Sequence, residues 1–214
     1  MPENFKGWVN KNKDRIVKAE KQGRLPYFLT NNATFAGIST NKMNVADRAK
    51  LLKEAKAKYN SYNADDWIKT GFDERSGGYC VYHKDHLFDP TIGKFGIPRG
   101  DYEKNTAKVL SAYGMDVVLS SEMSGQRGIK TPDGLLNGVL FDIKGIEGKS
   151  QRRIKDVFSK SSKQGAEATV LYFHDKNMFD MDFVKEGYEK YLTNSKNQKV
   201  KTVYCVAGKY LYKI

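Results

Sequence analysis

The sequence predicts an α/β fold: a mixed β-sheet flanked by helices and preceded by a helical amino-terminal segment. Three observations carry this. From about residue 101, stretches with helical apolar spacing alternate with short β-branched and aromatic runs, the pattern of helices packed on a sheet. Asn137-Gly138 separates two of those runs, and Asn-Gly is the strongest short hairpin signal a sequence can carry. The 214 residues are 39% hydrophobic and include 13 Tyr and 11 Phe, too many aromatics for a disordered polyelectrolyte.

The chain divides into a Lys- and Asn-rich part, residues 1–75, and a core, residues 76–214. In the first part, Trp8, Val9, Ile16 and Ala19 recur at roughly helical spacing before Gly23, and Leu25-Pro26 ends the pattern. A second helix is predicted from Val45 to Tyr59, with Asn44 at the N-cap position. Ser76-Gly77-Gly78 punctuates the chain before the apolar run Tyr79-Cys80-Val81-Tyr82. Residues 83–100 hold two prolines and three glycines and read as a long loop. Asp101 is placed to cap a helix whose stripe is Tyr102, Thr106, Val109, Leu110 and Tyr113, closed by Gly114. A strand over Met115–Leu119 follows, then the hairpin around Asn137-Gly138 with its second strand at Val139–Gly145. A helix over Gln151–Gln164, a strand over Thr169–Phe173 and a helix over Asp180–Leu192 come next. Val200–Val206 and Tyr210–Ile214 form a last hairpin about Gly208-Lys209.

Charge narrows the function. Thirty-seven Lys and Arg against 25 Asp and Glu leave a net +12, which favours a polyanionic partner, nucleic acid first. A solvated Lys-rich surface is the plainer account of the same charge. No apolar run approaches the ~20 residues needed to span a bilayer, so no membrane anchor is expected. Met1-Pro2-Glu3-Asn4 lacks the basic-then-apolar pattern of a secretory signal. Cys80 and Cys205 have no CxxC partner, which excludes a zinc ribbon and a disulfide framework and leaves them as buried apolar residues.

The chemistry concentrates in Thr131-Pro132-Asp133-Gly134 and, eight residues on from Gly134, Asp142-Ile143-Lys144. Residues two apart on a strand face the same side, about 6.5–7 Å apart. Leu140, Asp142 and Lys144 therefore share one face, while Val139, Phe141 and Ile143 take the core face. The first face holds a carboxylate and an ammonium, and the hairpin brings the Asp133 carboxylate beside them. Two carboxylates from separate segments suit a divalent cation such as Mg²⁺, which keeps several waters and uses one or two carboxylates. A lysine there can orient or deprotonate water, or stabilise charge on a phosphate. A turn aspartate beside an ordinary Asp142–Lys144 salt pair is the plain alternative. Glu103, in the first turn of the helix before the first core strand, is placed to face the sheet with Ala107 and Leu110; acidic residues are also favoured there by the helix dipole. Lys149, Arg152, Arg153 and Lys155 put cations at a helix N-terminus, where they oppose the dipole unless a phosphate chain offsets it. The loop Gly125–Lys130, with Arg127 and Lys130, leads into Asp133 and is placed to cradle substrate. His86 is a candidate substrate contact near the site entrance. A zinc site from His83, His86 and Asp89 lacks a cysteine cluster to support it.

The helix glutamate, the Pro-Asp-Gly, the Asp-Ile-Lys and the following helix with Lys163-Gln164-Gly165 resemble the PD-(D/E)XK nuclease superfamily. Within it they are most similar to the carboxy-terminal tRNase-type toxin domains of bacterial contact-dependent inhibition proteins, domains also found at the ends of phage minor head proteins. The resemblance covers about residues 79–214. The stretch from Asn4-Phe5-Lys6-Gly7-Trp8 to Leu25-Pro26-Tyr27-Phe28 also resembles the segment preceding such domains in Bacteroidota phage head proteins. What the resemblance implies is a restriction-endonuclease-like core with Asp133 and Asp142 as metal ligands and Glu103 completing or buttressing the shell. It also implies Lys144 as the water-activating or charge-stabilising group, and Gln164 as a residue beside the site or on the substrate. It implies a divalent cofactor, Mg²⁺ with Mn²⁺ or Zn²⁺ as alternatives, and tRNA as substrate with DNA as the alternative. Expected partners are an acidic immunity protein complementary to the +12 surface and a phage capsid or secretion component. The expected place of action is the bacterial cytoplasm, reached by secretion or in a virion. A phage or mobile-element DNA endonuclease and a non-catalytic, nucleic-acid-binding virion protein are the competing readings.

Overall fold

The structure, a computed structural model, describes residues 34–35, 38–39, 45–121, 131–148, 150–194 and 198–214. The helical pattern through Trp8 and Ala19, the Leu25-Pro26 stop, the Asn44 cap, the Gly125–Lys130 loop with Arg127 and Lys130, and Lys149 all lie outside those residues.

Two short strands, β1 (Thr34–Phe35) and β2 (Ile38–Ser39), pair with each other alone. Helix α1 (Val45–Ser61) leads into an eight-stranded sheet. Its strands are β3 (Trp67–Phe72), β4 (Tyr79–His83), β5 (Asp116–Leu119), β6 (Gly134–Leu136), β7 (Val139–Gly145), β8 (Ala168–Phe173), β9 (Thr202–Ala207) and β10 (Tyr210–Lys213), lying side by side in chain order. Pairing is parallel between β4 and β5, β7 and β8, and β8 and β9, and antiparallel elsewhere. Each parallel pair needs a crossover, supplied by α2 (Gly100–Ala112), α3 (Gln151–Gln164) and α4 (Met181–Asn194). The mixed sheet flanked by helices is the predicted fold class.

Helix α2 covers one face, where Tyr102, Ala107 and Leu110 pack with Val117, Leu136, Phe141, Ile143 and Val170. The opposite face is covered in two places. Ile154 and Phe158 of α3, with Val184 and Tyr191 of α4, pack on Leu171, Phe173, Val203 and Cys205. On β3–β5, Tyr59 of α1 and the neighbouring Tyr62 stack around Phe72, Tyr79 and Trp67. Between the two covers Leu140 stays 41% exposed. Both cysteines are buried and unbridged.

Three expectations are corrected. Ser76-Gly77-Gly78 lies in the turn of the β3–β4 hairpin, so the sheet already begins at Trp67, ahead of the boundary drawn at residue 76. The missed β3 has both chain ends inward and its centre exposed, an edge strand with no period-2 apolar signature. Helix α2 starts at Gly100, so Asp101 lies inside its first turn and pairs with Lys104 at 3.4 Å instead of capping. Val139, expected on the core face, is exposed where it adjoins the Asn137-Gly138 turn. The hairpin itself matches its signal: Asn137 (φ 50°) and Gly138 (φ 81°) are both left-handed, as a type I′ turn requires.

Candidate active site

The site forms where β4, β5, β7 and β8 end and antiparallel β6 begins, the crevice at the carboxyl ends of parallel strands where α/β folds hold ligands. Asp133 immediately precedes β6, whose Gly134 is the register partner of both Leu119 and Phe141. A Cβ on Gly134 would sit 1.9 Å from the Val118 carbonyl oxygen, so only glycine lets β6 close onto β5 and carry Asp133 to the strand end. There the Asp133 carboxylate accepts the Ile143 N–H at 2.5 Å. Strand β7 then delivers Asp142 and Lys144 on one face, with Lys144 Nζ donating to Asp142 Oδ1 at 2.6 Å.

That face is closed at Asp142. Ser161 of α3 donates its hydroxyl to Asp142 Oδ2 at 2.5 Å, and Asp142 is 0% exposed. Strand alternation puts Asp142 on the face away from Phe141 and Ile143, and α3, which crosses there, buries it. Gln164, at the end of the same helix, donates to the Thr131 carbonyl at 3.1 Å and so holds the segment leading to Asp133. Ser161 and Gln164 are three residues apart and share a helix face. Ser161 was missed, although a serine in register with the apolar stripe Ile154–Phe158 is the signal that could have found it.

The electrostatics follow from this crowding. Desolvation, with the nearby charges of Asp142 and Glu103, pushes the Asp133 pKa well above the ordinary carboxylate range against the opposing pull of Lys144 and the Ile143 N–H. Burial would lower the pKa of Lys144, but Asp142 and Asp133 outweigh it and hold it above the usual lysine value, as an ammonium.

Glu103 is tied elsewhere. His86 donates through Nδ1 to the Ser120 carbonyl at 2.7 Å, and its Nε2 meets Glu103 Oε2 at 2.9 Å. The His86 side chain, expected at the site entrance as a substrate contact, is 0% exposed and is turned to Glu103 instead of the surface. His83 packs edge-on against Trp67, and its Nδ1 lies 3.6 Å from Asp85.

The donor set suits a hard divalent cation in part. Asp133 and Asp142 are neighbouring carboxylates whose mutual repulsion a cation would relieve, and two carboxylates plus water are enough for Mg²⁺. Thr169, the register partner of Asp142 on β8, has a buried hydroxyl with no hydrogen-bond partner among the described residues. Among those residues no three His, Cys, Asp or Glu side chains gather as metal ligands.

The site opens into a groove of about 1060 Å³. Its walls include Lys144 and Glu147 from the end of β7 and its continuation, Glu103 and Tyr102 from α2, and Arg99 from the preceding loop. Arg152, Arg153, Asp156, Lys160, Lys163 and Gln164 come from α3. Arg152 and Arg153 are thus brought to the groove; Lys155 pairs with Asp156 at 3.6 Å and is not part of the wall. Arg99, Glu147, Lys160 and Lys163 were missed. The two lysines fall in helical register with Arg153, a basic face legible at i, i+7 and i+10, whereas nothing local marks Arg99 or Glu147. Among the described residues no helix is long and apolar enough to cross a membrane.

No curated protein and no solved structure matches the chain. Residues 130–209 do match a protein family, the contact-dependent growth inhibition CdiA C-terminal domain, over a stretch that holds Asp133, Asp142, Lys144, Ser161 and Gln164 and leaves Glu103 and His86 outside it.

Proposed function

We propose that this chain is a divalent-metal-dependent nuclease of the toxin type, hydrolysing phosphodiester bonds in RNA, with tRNA as the foremost substrate. One observation carries the reading: two adjacent carboxylates, Asp133 and Asp142, share an enclosed site with the Lys144 ammonium at the head of a basic groove. The similarity to contact-dependent growth inhibition domains over residues 130–209 supports the toxin assignment. Asp133 and Asp142 would hold the metal, which supplies Lewis-acid stabilisation of the phosphate and a more acidic bound water. Lys144, already donating to Asp142, places positive charge where the phosphate gains negative charge. Ser161 and Gln164 keep Asp142 and the Thr131–Asp133 segment in position, and His86 does the same for Glu103. Arg152, Arg153, Lys160 and Lys163 grip the strand in the groove. The +12 surface suits an acidic immunity protein, and action in a recipient bacterial cytoplasm follows from the same reading.

The test is incubation of the purified protein with total tRNA and with plasmid DNA, each with Mg²⁺ and with EDTA, beside Asp142→Ala. Cleavage of tRNA that needs both metal and Asp142 is expected. Cleavage of plasmid alone would move the assignment to a DNA endonuclease. Binding without cleavage under Mg²⁺, Mn²⁺ and Zn²⁺ would end the catalytic reading.

A further inference from the structure

Glu147 is an acidic residue buried in the wall of a basic groove, and the nuclease reading leaves it without a role. Its carboxylate collects donors from three directions. Oε1 accepts from Tyr102 Oη at 3.1 Å, the Lys94 N–H at 3.3 Å and Arg99 Nε at 3.4 Å, while Oε2 accepts from Arg99 Nη2 at 3.4 Å. Arg153 Nη2 lies 3.7 Å from Oε2. The carboxylate is 9% exposed, yet both arginines are 48% exposed, so the cluster turns its anion inward and its two guanidiniums toward the groove. Burial alone would raise the Glu147 pKa; Arg99, the Lys94 N–H and Tyr102 outweigh it, and the group is held ionised.

The backbone is shaped around this cluster. A Cβ on Gly93 would lie 2.2 Å from Tyr102 Oη and 2.6 Å from Glu147 Oε1, and one on Gly145 would lie 2.3 Å from the Tyr102 ring. Two glycines on separate segments thus leave room for one Tyr–Glu contact. Arg99 belongs to the loop before α2 and Arg153 to α3, so Glu147 pairs with an arginine from each of two groove walls. Glu147 follows Lys144 by three residues, at most about 10 Å of chain.

We propose that Arg99 and Arg153, aligned on Glu147, form a clamp for a backbone phosphate of the nucleic-acid strand next to the one being cut, and that Glu147 is its positioning residue. This rests on the nuclease reading for its ligand. The planar guanidinium fork suits a phosphate bidentately, and two forks anchored on one carboxylate spare the side-chain ordering that loose arginines would need on binding.

The sign of one substitution separates this from a loose basic surface. Glu147→Gln removes a negative charge from the groove, so electrostatics alone makes tRNA bind more tightly. Loss of the anchor makes it bind more weakly, by about three- to tenfold. The measurement is fluorescence anisotropy of a fluorescein-labelled tRNA in EDTA, from 50 to 200 mM NaCl, with wild type, Glu147→Gln, Arg99→Ala, Arg153→Ala and Arg153→Lys. Each arginine-to-alanine change is expected to weaken binding and lower the salt slope by about one. Arg153→Lys keeps the charge, loses the fork, and is expected to weaken binding as well, which preserves the test if Glu147→Gln does not fold. Unchanged or tighter binding by a folded Glu147→Gln, or an unaffected Arg153→Lys, overturns the clamp. Cleavage of unlabelled tRNA in Mg²⁺ is scored separately. Its absence with the binding results intact removes the nuclease reading and leaves the clamp; its presence with indifferent variants removes the clamp alone.

Discussion

Asp133 sits in a conflict that titration can read. Its folded pKa lies above the unfolded carboxylate value of about 3.9, so the fold binds the proton more tightly than the unfolded chain does. The cost of ionising it is absent below the unfolded pKa and grows as pH rises through the folded one. Asp133→Asn keeps an oxygen for the Ile143 N–H and removes the charge. It is expected to raise the melting temperature at pH 8, with a gain that shrinks toward pH 5, in metal-free thermal melts. A pH-independent difference would place the Asp133 strain elsewhere. Ser161→Ala is the complementary test, because it strands one oxygen of a fully buried carboxylate. A loss of about 1–3 kcal/mol in urea unfolding is expected, together with a fall in tRNA cleavage. That Asp142 and Lys144 lie side by side was legible from their spacing on one strand. The register of Ser161 with Ile154 and Phe158 marks it as inward-facing, but its partner Asp142 lies on another element and is not written locally.

Among the elements, β6 is the shortest core strand and the one whose failure costs most. It spans Gly134–Leu136 between β5 and β7, and the Cβ of an alanine at Gly134 would strike the Val118 backbone oxygen. Backbone cannot yield as a side chain can, so Gly134→Ala is expected to cost about 2 kcal/mol or more and to displace Asp133. Denaturant melts and Mg²⁺-dependent cleavage check both halves of that expectation; a variant of native stability would mean the pairing can slide. The Asn137-Gly138 turn, α3 and β8 were readable because each rests on a local signal of two to fourteen residues. Strand β3 was unreadable for the opposite reason: its outward centre carries no alternation.

At the scale of the molecule, α1 and β3 complete the sheet that residues 76–214 begin. Tyr59, Tyr62, Trp67 and Phe72 cover Tyr79, Val81 and Val118, which are otherwise core residues facing water. A chain starting at residue 76 is therefore expected to bind a dye for exposed apolar surface and to melt at lower urea than the full chain. Native-like melting of that fragment would show the core to be sufficient alone. Long-range attraction is the other whole-molecule property. With a net charge of +12, tRNA affinity in EDTA is expected to fall steeply between 50 and 200 mM NaCl, and a flat response would remove phosphate contacts from the account.

What the sequence determined by itself was the order of helices and strands from α2 onward, the place of two carboxylates and a lysine on neighbouring segments, and the sign of the net charge. Each of these is written in periodicity, spacing or composition. What the tertiary structure alone decided was which of those groups meet. Ser161 reaches Asp142 across 19 residues, His86 reaches Glu103 across 17, and Arg99 reaches Glu147 across 48. A strand's alternation assigns a residue to a face, but only the crossover that later packs there decides whether that face is open to water. Here α3 closes it at Asp142, which is buried, and leaves Leu140 of the same face exposed.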